Sequence, residues 1–241
     1  IARILNITGE AIDTVDQFGA TIVDLGNNFA TSESEILEMA TEVAKATVQF
    51  NLSSEQILGM SAAMSALGME AESGSTVVGK AFQAISDAVS DQAGPAFEML
   101  MELTGKTGDE ITDIFLTDST RAFQEFILGL SRAAKQGEIT TKQLEEFGLK
   151  GIRINKILPT LAERSDKLSE AMERSANASK NASALNDEFA KAAATNASKI
   201  EMAQNKLNNL FIRMGEEITP QVVESLEEIV VAIENSGPVI R

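Results

Sequence analysis

Read along the chain, apolar positions recur every three or four residues and are punctuated by helix start signals. Ser32 with Glu35, Ser53 with Gln56 and Thr140 with Gln143 each have the capping-box spacing, in which a hydroxyl and a longer side chain satisfy two orphan amides reciprocally. Behind the first lies the stripe Ile36, Ala40, Val43, Thr47 and Phe50; behind the second lie Ile57, Met60 or Ser61, Met64 and Leu67, closed by Gly68 where a left-handed cap is expected. A third helix is predicted from about Glu70, with Val78, Ala81, Phe82, Ile85 and Val89 on one face and a turn at Gly94-Pro95. Shorter pieces follow through Phe97, Leu100 and Leu103 and through Ile111, Ile114 and Phe115. A longer one runs from about Asp118 to Gln136 and carries Phe123, Phe126, Ile127, Leu130 and Ala133 before Gly137. No segment shows a convincing period of two; Ile229 to Ile233 comes nearest, in a stretch that Thr219-Pro220 opens as a helix.

The pattern changes after Pro159. From Thr160 to Met214 there is neither Gly nor Pro, and two seven-residue series can be followed through the stretch. Their apolar members are Leu161, Leu168, Phe189 and Leu210 in one, and Met172, Ile200, Leu207 and Met214 in the other, with Ser175, Ser179, Asn186 and Asn196 weakening the middle. The fold class expected is therefore all-α with no sheet. A compact irregular multi-helix bundle over 1–158 is followed by a long helix over 160–214, capable of coiled-coil pairing, and a short terminal helix over 219–236. The eight apolar seam residues are the candidate packing or oligomer interface. Alternatively the long helix bends or breaks near Asn177 to Asn181, where the seam is polar.

Composition narrows the chemistry. The 241 residues include no His, Cys, Trp or Tyr, so disulfides, thiolate catalysis, Cys-ligated zinc and imidazole chemistry are excluded. The formal charge of −16 is unevenly placed: residues 1–139 hold 7 Lys and Arg against 21 Asp and Glu, and residues 140–241 hold 13 against 15. The front part repels phosphate backbones, so stable nucleic-acid binding is not expected. No apolar run reaches the roughly 18 to 20 residues of a spanning helix, and the chain reads as an excerpt of a longer polypeptide.

Four features invite a catalytic reading. Gly74-Ser75-Thr76-Val77-Val78-Gly79-Lys80 matches the first seven positions of a phosphate-binding P-loop, but the next residue is Ala81, without the hydroxyl that would hold magnesium. Carboxylate pairs such as Glu70 with Glu72, Asp109 with Glu110, Glu216 with Glu217 and Glu227 with Glu228 read as solvated faces and first-turn charges. Glu72-Ser73 evokes a lytic transglycosylase, yet a chain without Tyr and Trp cannot line a sugar groove with them; Ser73 or Ser75 with Lys80 would need a desolvated lysine. The expectation is no catalytic, cofactor-binding or metal-binding residue.

The order of several stretches resembles the core region of phage tail tape measure proteins. They begin with Leu25-Gly26-Asn27-Asn28-Phe29-Ala30 and Ser32-Glu33-Ser34-Glu35-Ile36-Leu37. Leu52 to Leu58 then leads through Ser61-Ala62-Ala63-Met64 and Leu67-Gly68 into Glu70-Ala71-Glu72-Ser73-Gly74-Ser75. Phe123 to Leu130 and Leu144 to Gly148 with Gly151-Ile152-Arg153 come next, and Asn205 to Leu210 and Gly215 to Pro220 complete the series, covering about residues 15 to 235. Where the family often shows Gly-Thr after the acidic turn, this chain has Gly74-Ser75-Thr76. The resemblance implies a multi-copy structural protein, a trimer being one such arrangement, that lies in the tail tube lumen or tail tip of a long-tailed bacteriophage or prophage. It implies that the protein sets tail length during assembly in the host cytoplasm and leaves at genome ejection. The implied partners are other copies of itself, tail tube and tail-tip proteins, and tail assembly chaperones. The competing readings are a non-viral helical interaction module, such as a signalling or secretion scaffold, and a peptidoglycan hydrolase.

Overall fold

A computed structural model describes residues 1–11, 14–137 and 141–181, the side chains of 141–143 and 181 excepted. The chain divides into two units, Ile1–Glu188 and Phe189–Arg241, and the described residues all belong to the first. Their regular structure is entirely helical. In order come α1 (Ala2–Thr8), α2 (Val15–Asn28), α3 (Glu33–Ala46), a 3-10 turn (Val48–Phe50), α4 (Ser54–Ala66), α5 (Ala71–Asp91) and α6 (Pro95–Thr104). They are followed by α7 (Gly108–Thr117), α8 (Ser119–Gln136), α9 (Thr141–Glu146), α10 (Ile152–Glu163) and α11 (Ser165–Asn181). The all-α expectation holds among the described residues.

Side-chain caps fix where α3, α4, α7 and α8 begin. Ser32 Oγ accepts from the Glu35 amide at 3.3 Å while the Ser32 amide donates to the Glu35 carboxylate at 2.8 Å. Ser53 and Gln56 repeat the exchange at 3.3 and 2.9 Å at the start of α4. Thr107 and Glu110 form a third box, at the start of α7, whose spacing was equally legible. The box expected at Thr140 and Gln143 lies outside the described residues. After α4, Gly68 takes φ 71°, the left-handed conformation that a residue with a Cβ rarely adopts.

Packing places α4 at the centre. Its side chains from Ile57 to Met64 are all buried, because α1, α2, α3 and α11 surround it. A helix apolar all round is what such a position requires. Glu10, beyond α1, fastens its start by accepting from both the amide and the hydroxyl of Ser54 at 2.6 Å. A second focus is aromatic: Phe82 of α5 stacks on Phe123 of α8 at 4.9 Å, Phe50 lies 5.3 Å from Phe82, and Phe126 of α8 stacks on Phe147 at 5.0 Å. Arg132 of α8 donates to the Leu103 carbonyl at 2.8 Å, satisfying an orphan acceptor at the end of α6. Gly129 lets those two helices approach so closely that a Cβ there would overlap that carbonyl oxygen.

The unbroken helix expected from residue 160 is corrected. α10 starts at Ile152, runs through Pro159 to Glu163, and the helix is interrupted at Arg164, with φ −108° and ψ 33°. The main partners change at that point: α10 packs mostly on α8 and α5, whereas α11 packs mostly on α4 and α2 and less on α8. Pro159 is tolerated inside α10 because it and Asn155, whose carbonyl loses its helical donor, both belong to exposed residues. The expected boundary at residue 158 thus falls inside a helix. The remainder of the 160–214 stretch beyond residue 181 and the terminal helix over 219–236 lie outside the described residues.

Candidate functional site

Of the eight seam candidates, three can be placed. Leu161 is buried in α10, and Leu168 and Met172 are buried on α11, in the interface with the rest of the first unit. Seven residues separate Leu161 from Leu168, but the break at Arg164 assigns them to two differently seated helices instead of one seam. Phe189, Ile200, Leu207, Leu210 and Met214 lie outside the described residues.

The P-loop-like stretch is helix throughout. Gly74 to Lys80 lies inside α5, where the backbone amides are committed to the helical ladder instead of cradling a phosphate. Its small residues serve packing: a Cβ on Gly79 would stand 3.0 Å from the Ala46 carbonyl oxygen of α3, and one on Gly74 would stand 3.3 Å from Met39 Sδ. Ser75 is buried and donates to the Glu72 carbonyl at 3.1 Å, whereas Lys80 is exposed, so the environment a lysine base needs is missing there.

The carboxylates gather at two concave surfaces. The first, an open groove of about 500 Å³, runs between α3 and the α4 to α5 elbow and carries Glu35, Glu38, Glu70 and Glu72 around Met39 and Met69. Glu72 faces Arg153 of α10 at 3.5 Å in an ion pair exposed on both sides. Glu35 is already occupied in the capping box, and the Ser32 amide and then the Ser32 hydroxyl pull its pKa below 4.5. That is the opposite direction from the one a general acid at neutral pH requires. Glu110 is lowered in the same way by Thr107, which places the Asp109 and Glu110 pair in a helix first turn. Glu216, Glu217, Glu227 and Glu228 lie outside the described residues.

The second surface, about 340 Å³, opens where α11 meets the first turn of α4 and the start of α8. Glu55, Asp118 and Glu173 line it, with Gln56, Gln124 and Ser169 between them. Asp118 is spoken for: it caps α8 through the Arg121 amide at 3.0 Å and accepts from Gln56 Nε2 at 3.1 Å. Thr120 also lines this cleft, and its hydroxyl is buried with no hydrogen-bond partner. Nothing in the linear sequence joins residues 55, 118 and 173; only the seating of α11 does. Among the described residues no group of three acidic side chains is arranged to hold a metal ion, and no helix is long and apolar enough to cross a membrane.

The arrangement is that of a helical packing domain with acidic surfaces. No protein-family model, curated protein or solved structure matches the chain.

Proposed function

We propose that this chain is the core segment of a phage tail tape measure protein, a structural component of tail assembly that sets tail length and is released at genome ejection. One observation carries the reading: within the described residues, the stretches that give the resemblance are the ones that build the fold. Ser32, Glu35, Ser53 and Gln56 start helices, Gly68 turns the chain between α4 and α5, and Phe123 and Phe126 anchor the aromatic core. A likeness concentrated in caps and core describes a shared scaffold, which suits a structural protein. The acidic composition of the first 139 residues also suits a protein that must not adhere to DNA passing along the same lumen. Its partners on this reading are further copies of itself, tail tube and tail-tip proteins and assembly chaperones. An interaction module outside any virus remains the second reading, supported by the acidic grooves.

The test is tail length by electron microscopy after in-frame changes in the parent gene. Deletions in extended helical segments should shorten tails by about 1.5 Å per residue, while loss of the compact unit should stop assembly. Tails of unchanged length in every deletion would refute the reading and favour the interaction module.

A further inference from the structure

We infer that α11 is a releasable strap, a helix that leaves its seat on α2 and α4 as one unit while the other helices stay folded. The inference stands on packing alone and does not depend on the role in tails.

Small and polar groups make the closest contacts of this seat. At Gly59 of α4 an added Cβ would stand 3.0 Å from Met172 Cα and 3.1 Å from the Ala171 carbonyl oxygen, so the two backbones nearly touch. Ser175 Oγ donates to the Glu55 carbonyl at 2.6 Å, and Arg174 Nη1 reaches both carboxylate oxygens of Asp24 on α2, at 3.3 and 3.2 Å. The arginine side chain keeps 37% of its exposure and the aspartate 22%, so water and salt already compete for that pair. The large apolar side chains that α11 buries are Leu168 and Met172; the other buried positions are Ser165, Ala171 and Ser175.

One edge of the seat is unfilled. The cleft of about 340 Å³ between α11, α4 and α8 is open to solvent and borders the helix on that side. Glu55 and Glu173 face this same cleft without an ion-pair partner among the described residues. The hinge is in place as well. The α10 ladder closes at Arg164, whose amide donates to the Thr160 carbonyl at 3.1 Å, and α11 begins on the Arg164 carbonyl. The strap can therefore swing at one residue while every hydrogen bond of its own ladder is kept. The element that lifts is a helix of 17 residues, about 25 Å long.

Hydrogen exchange on the full chain, native and Gly59→Ala, tests this. Gly59 lies inside α4 without a positive φ, so alanine suits that helix and disturbs only what rests on it. In the native protein, amides of 168–180 should exchange through a local opening, at least about tenfold faster than the slowest amides of α8. In Gly59→Ala they should lose protection while α8 keeps its own. Amides of α11 as slow as those of α8, or protection lost equally from α4, α8 and α11, would overturn the strap. Should Gly59→Ala not fold, Arg174→Ala gives the same regional readout from the surface. Faster exchange confined to α11 supports the strap, and no regional difference overturns it.

Discussion

α8 and α11 are nearly equal in length, 18 and 17 residues, and both lie against the same unit, yet they are held by different means. α8 buries Phe123, Phe126, Ile127 and Leu130; α11 buries Leu168 and Met172. At about 1.5 to 3 kcal/mol for each large apolar side chain, the gross hydrophobic contribution is about 6 to 12 kcal/mol for the first and about 3 to 6 for the second. Ordering each backbone residue opposes both by about 1 to 2 kcal/mol. The contrast shows that backbone proximity is a poor guide to how firmly a helix is held. α11 approaches α4 closely because Gly59 and Ala171 are small, and small residues bury little apolar area.

The largest effect should come from Phe126→Ala. The ring is fully buried and stacked on Phe147 at 5.0 Å, so truncation should cost about 3 to 5 kcal/mol of the unfolding free energy. Urea unfolding followed by circular dichroism measures it, the chain having no Trp or Tyr to serve as a fluorescent probe. A loss below about 1 kcal/mol would show that α8 is no better seated than α11. Gly129→Ala comes next. Its Cβ would overlap the Leu103 carbonyl, and forcing α6 from α8 should cost about 1 to 3 kcal/mol, spread over the whole unit. Gly59→Ala is its counterpart on the strap side, where the same kind of insertion should act on α11 alone.

What the sequence made legible follows the range of the cause. Capping boxes at Ser32 and Ser53, the turn at Gly68 and the start of α6 at Pro95 are set by residues within one helical turn, and all were readable. The buried face of α5, from Val78 to Val89, was readable because one side of that helix meets solvent. The division at Arg164 was not. No Gly or Pro marks it, and the seven-residue spacing from Leu161 to Leu168 continues straight across. The break reflects which distant helices each side mainly meets, α8 and α5 before it and α4 and α2, with less of α8, after it. The cleft of Glu55, Asp118 and Glu173 escaped for the same reason, being assembled across separations of 55 residues or more.

Two smaller perturbations probe the join between the regions. Ser53→Ala removes the acceptor for the Gln56 amide at the start of α4 and should cost about 1 kcal/mol, seen as a lower urea midpoint. Because α4 seats α11, that loss should also quicken exchange in the strap. Arg174→Ala should cost less than about 1 kcal/mol of global stability, since the pair it breaks is partly exposed to water. A larger global loss would mean that α11 unfolds only with the rest.

The smallest effect concerns acid. Helices α3 and α7 begin with boxes closed by Glu35 and Glu110, whereas α4, the seat of the strap, begins with one closed by the uncharged Gln56. Hydrogen bonds from Ser32 and Thr107 lower the two glutamate pKa values beneath 4.5. A depressed folded-state pKa stabilises the fold above the unfolded value and loses that contribution as pH falls through the folded one. As pH falls below the ordinary glutamate value, therefore, the starts of α3 and α7 should loosen while the start of α4 does not. Glu35→Gln keeps an acceptor for the Ser32 amide but removes the titration, so melting temperatures recorded against pH should fall less steeply at the acid end than in the native chain. An unchanged slope would show that the Glu35 box contributes nothing to the acid sensitivity, with the Glu110 box of α7 the next to replace.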